Sequence, residues 1–129
     1  MSKRYIDTDR WKKRKFLQLS AKAKVFYMYI WDNCDHAGVW NVNFDLAEYQ
    51  IKEKFNHDDI KNELIELIVV LEKGNKWFLP EFIEISYNNK LRSEVKCQKS
   101  VLQILNQHEE IKNKVDDYFF GRELPFENQ

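Results

Sequence analysis

The densest chemistry in this sequence lies near its start. Arg10, Lys12, Lys13, Arg14 and Lys15 surround Trp11. Cationic side chains beside an exposed aromatic ring neutralise phosphates and offer a surface on which a base can stack. The competing use of such a run is a solvated face that balances acidic surface elsewhere. Two smaller basic groups repeat the signature. Lys73 and Lys76 bracket Gly74-Asn75, a hairpin-turn pair. Arg92, Lys96 and Lys99 fall at i, i+4 and i+7, one face of a helix, with Lys90 just before them. A hairpin tip or a helix face of this kind can approach a phosphate backbone. Each is equally what an ordinary solvated tip or face looks like.

Other chemistries lack their constellations. A metal site would draw on Cys34, His36, His57, Cys97 and His108. Cys34 and His36 are separated by a single residue, too close for the usual spacing, and no second matched pair exists. Neither a metal nor a cofactor is expected. His108 continues an apolar stripe, the place of a satisfied core or interface histidine, and no Ser or Cys nucleophile stands in a recognisable frame. Asp58-Asp59, Glu109-Glu110 and Asp116-Asp117 are neighbours within predicted helices, so each pair diverges by about 100°. Glu94-Val95-Lys96 has a nuclease-like Glu-x-Lys spacing, but on a helix and without a Pro-Asp partner. Gly38, Gly74 and Gly121 are isolated, so no glycine-rich phosphate loop forms. The residues point to a binding protein rather than an enzyme.

The charge balance looks neutral only as a sum. The 129 residues carry 21 Lys+Arg and 21 Asp+Glu. Residues 1–24 alone hold nine basic groups against Asp7 and Asp9, a local +7, which leaves −7 on the rest. Zero net charge therefore excludes nothing about nucleic acid; the chain is a charge dipole. Hydrophobic content of 43%, with 15% aromatic, supports a packed core. Only 3 Gly and 2 Pro argue against a low-complexity chain or a turn-dense all-β fold. Two cysteines exclude a disulfide framework and fit a reducing cytosol. The basic start leads into charged sequence rather than the apolar core of a signal peptide. The longest apolar run, Val25–Trp31, is too short to span a bilayer. The expectation is a cytoplasmic chain without membrane contact.

These groups must be positioned by a particular order of elements. Trp11, Phe16, Leu17 and Leu19 punctuate the basic lead-in, so it should dock rather than float. Ser20 is a good N-cap for a helix over Ala21–Asn33, apolar on most sides and therefore central. Cys34–Gly38 reads as a turn, and Val39, Trp40 and Val42 as a short extended piece. Asn43 can cap a helix over Phe44–Ile51. Asn56 or Asp58 can cap another over Asp58–Leu67. Ile68–Leu71 and Trp77–Leu79 should form a hairpin across Gly74-Asn75. Phe82–Ile85 fits a strand or a short helix. Val101, Ile104, Leu105, His108, Ile111, Val115, Tyr118 and Phe119 keep one phase, which predicts a long helix over 93–120 stopped at Gly121. Two helices broken near Asn106 are the alternative. The predicted class is α+β, mostly α. A winged helix-turn-helix with a β-hairpin wing occupies residues 1–92, and a C-terminal helix and tail occupy 93–129.

The residues also carry a resemblance. Leu19-Ser20-Ala21-Lys22-Ala23-Lys24 is similar to the start of phage and prophage replication proteins with an N-terminal winged helix. So is Trp31-Asp32-Asn33-Cys34-Asp35-His36-Ala37-Gly38-Val39-Trp40, the most specific stretch. Lys76-Trp77-Phe78-Leu79-Pro80-Glu81-Phe82-Ile83 with Tyr87, and Lys99-Ser100-Val101 with Ile104-Leu105, extend it over about residues 5–107. The resemblance implies a DNA-binding domain of a replication initiator or replisome organiser, with DNA favoured over RNA and a replisome protein as a partner. The sequence departs from that pattern in two ways. Such proteins usually continue into a larger C-terminal region, whereas this sequence stops at residue 129, and the predicted recognition helix is acidic, with Asp58, Asp59, Glu63 and Glu66 against Lys61. Carboxylates beside phosphates oppose major-groove entry.

That acidity supports a second expectation, a phage-encoded inhibitor of a host defence nuclease, anti-CRISPR-like. Residues 32–84 hold 12 acidic and 5 basic groups, suited to an effector's basic channel, while the lead-in would hold guide RNA. A third is a dimeric transcriptional regulator, a homodimer with the stripe from Val101 to Phe119 on the long last helix as its seam.

Overall fold

The computed structural model describes residues 3–87 and 95–113. The lead-in is folded onto the body. Thr8–Lys12 winds into a 3-10 turn capped by Asp7, whose side chain accepts from the Asp9 amide. Arg14–Leu17 forms one turn of helix, α1. Phe16 and Leu19 are buried, which docks the segment as their spacing predicts.

Helix α2 spans Ala21–Asn33, and the Ser20 hydroxyl accepts from the Ala23 amide at its start. No Gly or Pro interrupts it. It buries Ala23, Phe26, Tyr27, Ile30 and Trp31. Its apolar surface is less enclosed than expected, since Val25 on its outer side is 42% exposed. Asn43 caps α3, Phe44–Ile51, through the Leu46 amide. Asn56 caps α4, His57–Glu63, through the Asp59 amide. Helix α4 ends earlier than its apolar spacing suggests. The chain tightens into a turn there, so that Leu64, Leu67 and Ile68 all enter the core.

Strands β1 (Val39–Asn41), β2 (Val69–Leu71) and β3 (Lys76–Phe78) form an antiparallel sheet in the order β1-β3-β2. The period-2 alternation of strands assigns its two faces. Trp40 and Trp77, a cross-strand pair with ring centroids 5.3 Å apart, turn toward the helices. Phe26 of α2 sits among Trp40, Phe44, Phe55 and Trp77 there. Val39, Phe78, Val69 and Leu71 face the other way, into a second cluster. Pro80–Tyr87 is helix α5, which settles the open strand-or-helix choice for Phe82–Ile85.

The C-terminal expectation needs correction. In place of a single long helix over 93–120, the described residues form α6, Lys96–Asn106, and α7, Glu109–Asn113. The break follows from what the stripe must cover. Val101, Leu102, Leu105 and Ile111 pack in one cluster with Val39, Val69, Leu71 and Phe78, and the break turns α7 back toward β2. The Gln107 amide turns back to the Ile104 and Leu105 carbonyls, and Glu110 reaches the Glu72 amide at 3.3 Å. His108 is buried at the break. This part of the proposed dimer seam is occupied by the chain's own sheet. Val115, Tyr118, Phe119 and the stop at Gly121 lie outside the described residues. The result is an α+β fold, mostly helical, around a small three-stranded sheet covered on both faces.

Candidate nucleic-acid interface

The basic lead-in divides into two populations. Arg10 points inward: it is 6% exposed, its guanidinium carbon lies 5.3 Å from the Trp31 ring centroid and 5.9 Å from that of Phe16, and Nε donates to the Asp7 carbonyl. A cation sandwiched on buried rings is a structural rivet. Arg4 is another. Its guanidinium donates to the Trp31 and Cys34 carbonyls at the end of α2, where partial negative charge collects, and lies 5.2 Å from the Phe82 ring centroid. Lys13 pairs with Asp7 at 2.6 Å. Burial works against the Lys13 charge, but the Asp7 hydrogen bond and nearby Glu81 and Glu84 raise its pKa. The same hydrogen bond lowers that of Asp7.

The remaining cations look outward. Lys12 pairs loosely with Asp9 across 3.6 Å, both largely exposed. Arg14 reaches Gln18 and, at 3.4 Å, Glu66, with most of its side chain in solvent. Lys15 is half-buried and lies within electrostatic reach of Glu81. Trp11 is 52% exposed; its ring meets Phe16 edge-on, and the Lys24 ammonium lies 5.6 Å from its centroid. Trp11 with Lys24 over its ring thus forms an aromatic–cation platform, Lys12 and Arg14 stand in solvent one and three positions further along the same segment, and Lys24 joins a set to which sequence spacing does not assign it.

The other basic candidates are placed apart from this platform. Lys73 is exposed at the β2–β3 tip with φ +58, beside Glu72 at +48 and Gly74 at +98. Lys76 is half-buried in β3. Lys96 and Lys99 are exposed on α6. Arg92, with Lys90, lies outside the described residues.

The acidic residues of α4 also separate. Glu63 accepts from the Ser20 amide and hydroxyl at 2.8 and 2.9 Å, which fastens α4 to the start of α2. Glu66 accepts from Arg14 and Gln18. Asp58 and Asp59 occupy the first turn, where the helix dipole favours them, and remain exposed. Of the four carboxylates that oppose groove entry, two are engaged inside the molecule.

The Cys34–Trp40 stretch turns out to be a built corner. Asp35 Oδ1 accepts from the Ala37 and Val39 amides, and Ala37 is fully buried. Gly38 has φ +81, and a Cβ there would lie 2.9 Å from Cβ of Phe82, so only glycine fits. Cys34 is buried, and burial pushes its thiol up to about 12 despite Arg4 beside it. Among the described residues no group of three or more His, Cys, Asp or Glu can hold a metal ion. His57 stacks on Phe44 and faces Glu48, a packing arrangement. No described helix is long and apolar enough to cross a membrane.

Comparison with protein-family models, curated proteins and solved structures finds no match to this chain.

Proposed function

We propose that this chain is a nucleic-acid-binding winged-helix protein of phage or mobile-element origin, related to replication initiators, and a cytoplasmic protein without enzymatic activity. The topology supports the winged-helix reading. Helix α2, then β1, α3, α4 and the β2–β3 hairpin follow the order of that motif, and β3 lies between β1 and β2. The carrying observation for binding is the exposed Trp11 with Lys24 over its ring, in a segment where Lys12 and Arg14 also stand in solvent. DNA is the favoured ligand, held by phosphate contacts from the platform and from Lys73 at the wing tip. Helix α4 does not read the major groove in this account, because Asp58 and Asp59 sit at its exposed start. An electrophoretic shift series across about 50–200 mM salt tests the proposal. Binding that weakens steeply with salt supports it; no binding, or binding indifferent to salt, contradicts it.

A specific observation favours a second reading. Asp58 and Asp59 are exposed and form no ion pair among the described residues. Such an acidic edge suits the basic channel of a defence nuclease, which the chain would inhibit by occupying it. Loss of effector cleavage on adding the protein, reversed by Asp58→Asn with Asp59→Asn, supports this reading over the first.

A further inference from the structure

A crevice outside the Trp11 platform has the chemistry of a nucleotide site. It lies between residues 3–5, the corner at His36 and helix α5, and encloses about 350 Å³. Small-molecule sites span about 300–1,000 Å³. Its lining combines two cations, Lys3 and Arg4, with Tyr5, Phe82 and Tyr87 and the polar His36 and Ser86. Among the described residues that line it, none is a carboxylate. The crevices beside α3 and α4 differ, since Glu48 and Glu53 line one and Glu63 and Glu66 the other.

At the crevice Arg4 is held in place, and the cations have no carboxylate partner among the described residues. Arg4 donates to two backbone carbonyls and to the Cys34 sulfur, all neutral acceptors, because burial keeps that thiol protonated. Neither Lys3 nor Arg4 pairs with a carboxylate among the described residues. Asp35 stands nearby and is negatively charged; its Oδ1 accepts from the Ala37 and Val39 amides, and it forms an ion pair with neither cation among the described residues. The walls are fixed in place. Tyr87 donates its hydroxyl to the His36 carbonyl at 2.7 Å, and His36 Nε2 meets the Ser100 hydroxyl at 2.9 Å. Tyr5 is 74% exposed at the rim, while its backbone carbonyl accepts from the Trp31 indole. The position of an open aromatic ring is thereby anchored through the main chain.

We propose that this crevice binds an unpaired nucleotide, with Lys3 and Arg4 attracting the phosphate and Tyr5 stacking on the base. The proposal rests on the nucleic-acid reading and adds to it a site for single-stranded or free nucleotide. A phosphate alone would not need the aromatic rim, and a base alone would not need the unpaired cations. Stacking of one base contributes roughly 1–3 kcal/mol by alanine substitution, a factor of about 5 to 150.

The test follows backbone amide shifts in the full chain on titration with an oligothymidylate of about eight residues, with dTMP and with inorganic phosphate. Shifts at Tyr5, His36 and Tyr87 with the oligonucleotide are expected, and Tyr5→Ala should weaken it at least about fivefold while Tyr5→Phe restores it. Neither variant touches the Trp31 hydrogen bond, which uses the Tyr5 backbone. The same shifts with dTMP would identify a site for free nucleotides; shifts with the oligonucleotide alone would identify a site for a strand. Equal affinity for inorganic phosphate and dTMP would overturn base recognition. Shifts confined to Trp11 and Lys24, with Tyr5→Ala indifferent, would overturn the crevice and leave the platform standing. No binding of duplex or oligonucleotide would remove both.

Discussion

Arg10 and Arg14 stand four residues apart in the same basic run and meet opposite fates. Arg10 is buried on the rings of Trp31 and Phe16, and Arg14 leaves most of its side chain in water. The division runs through the whole lead-in. Arg4, Arg10 and Lys13 hold the segment to the body, whereas Lys12 and Arg14 stay largely in solvent and Lys24 lies over the exposed Trp11. A local charge of +7 is thus no measure of the charge offered to a partner. The inner cations convert the lead-in into a fixed surface, and the outer ones give that surface its field.

Substitutions should separate the two populations: the inner ones act on stability and the outer ones on duplex binding, and Arg4 alone of the three inner cations also lines the crevice. The largest effect is expected for Arg4→Ala. It removes donors from the Trp31 and Cys34 carbonyls, and hydrogen bonds from charged groups contribute about 1.5–3 kcal/mol. Urea unfolding should show a destabilisation of about 2 kcal/mol. Arg10→Ala should cost about 1–2 kcal/mol by the same measurement, through cation–π contact and stem packing, and Arg10→Met should recover the packing part. Tyr27→Phe moves the other way. The Tyr27 hydroxyl is fully buried with no hydrogen-bond partner among the described residues, so its removal should raise stability by up to about 1 kcal/mol.

A smaller effect belongs to the Asp7–Lys13 pair. The Asp7 pKa is lowered, so its contribution is present above its unfolded value near 3.8 and is lost as pH falls through the folded pKa. The Lys13 pKa is raised, so its contribution is present below its unfolded value near 10.5 and is lost as pH rises through the folded pKa. Asp7→Asn should therefore flatten the acid limb of stability against pH, measured by unfolding at a series of pH values. Solvent screening keeps that change modest.

Much of the fold is legible in the sequence because it rests on local rules. Ser20, Asn43 and Asn56 cap the helices that follow them, and the β2–β3 hairpin forms around Gly74-Asn75, whereas the pairing of Trp40 with Trp77 across β1 and β3 follows from no local rule. The break at Gln107–His108 is one of two outcomes the sequence allows, because a continuous stripe does not say which surface it covers. The site is harder to read. Arg10 and Arg14 are alike as letters; only the rings supplied by Phe16 and Trp31 distinguish them. Glu63 has the position of a groove-facing charge, but its partner Ser20 lies 43 positions away. Arg4 and the crevice it lines depend on neighbours, Trp31, Cys34 and Phe82, that no local pattern announces.

The division between inner and outer cations is tested most directly by the salt dependence of duplex binding in two variants. Lys12→Gln with Arg14→Gln should reduce the slope of log affinity against log salt by about 2, one unit for each phosphate no longer neutralised. Arg10→Met should leave that slope unchanged while lowering stability. An unchanged slope in the double variant, or a reduced slope in Arg10→Met while the protein remains folded, would contradict the account.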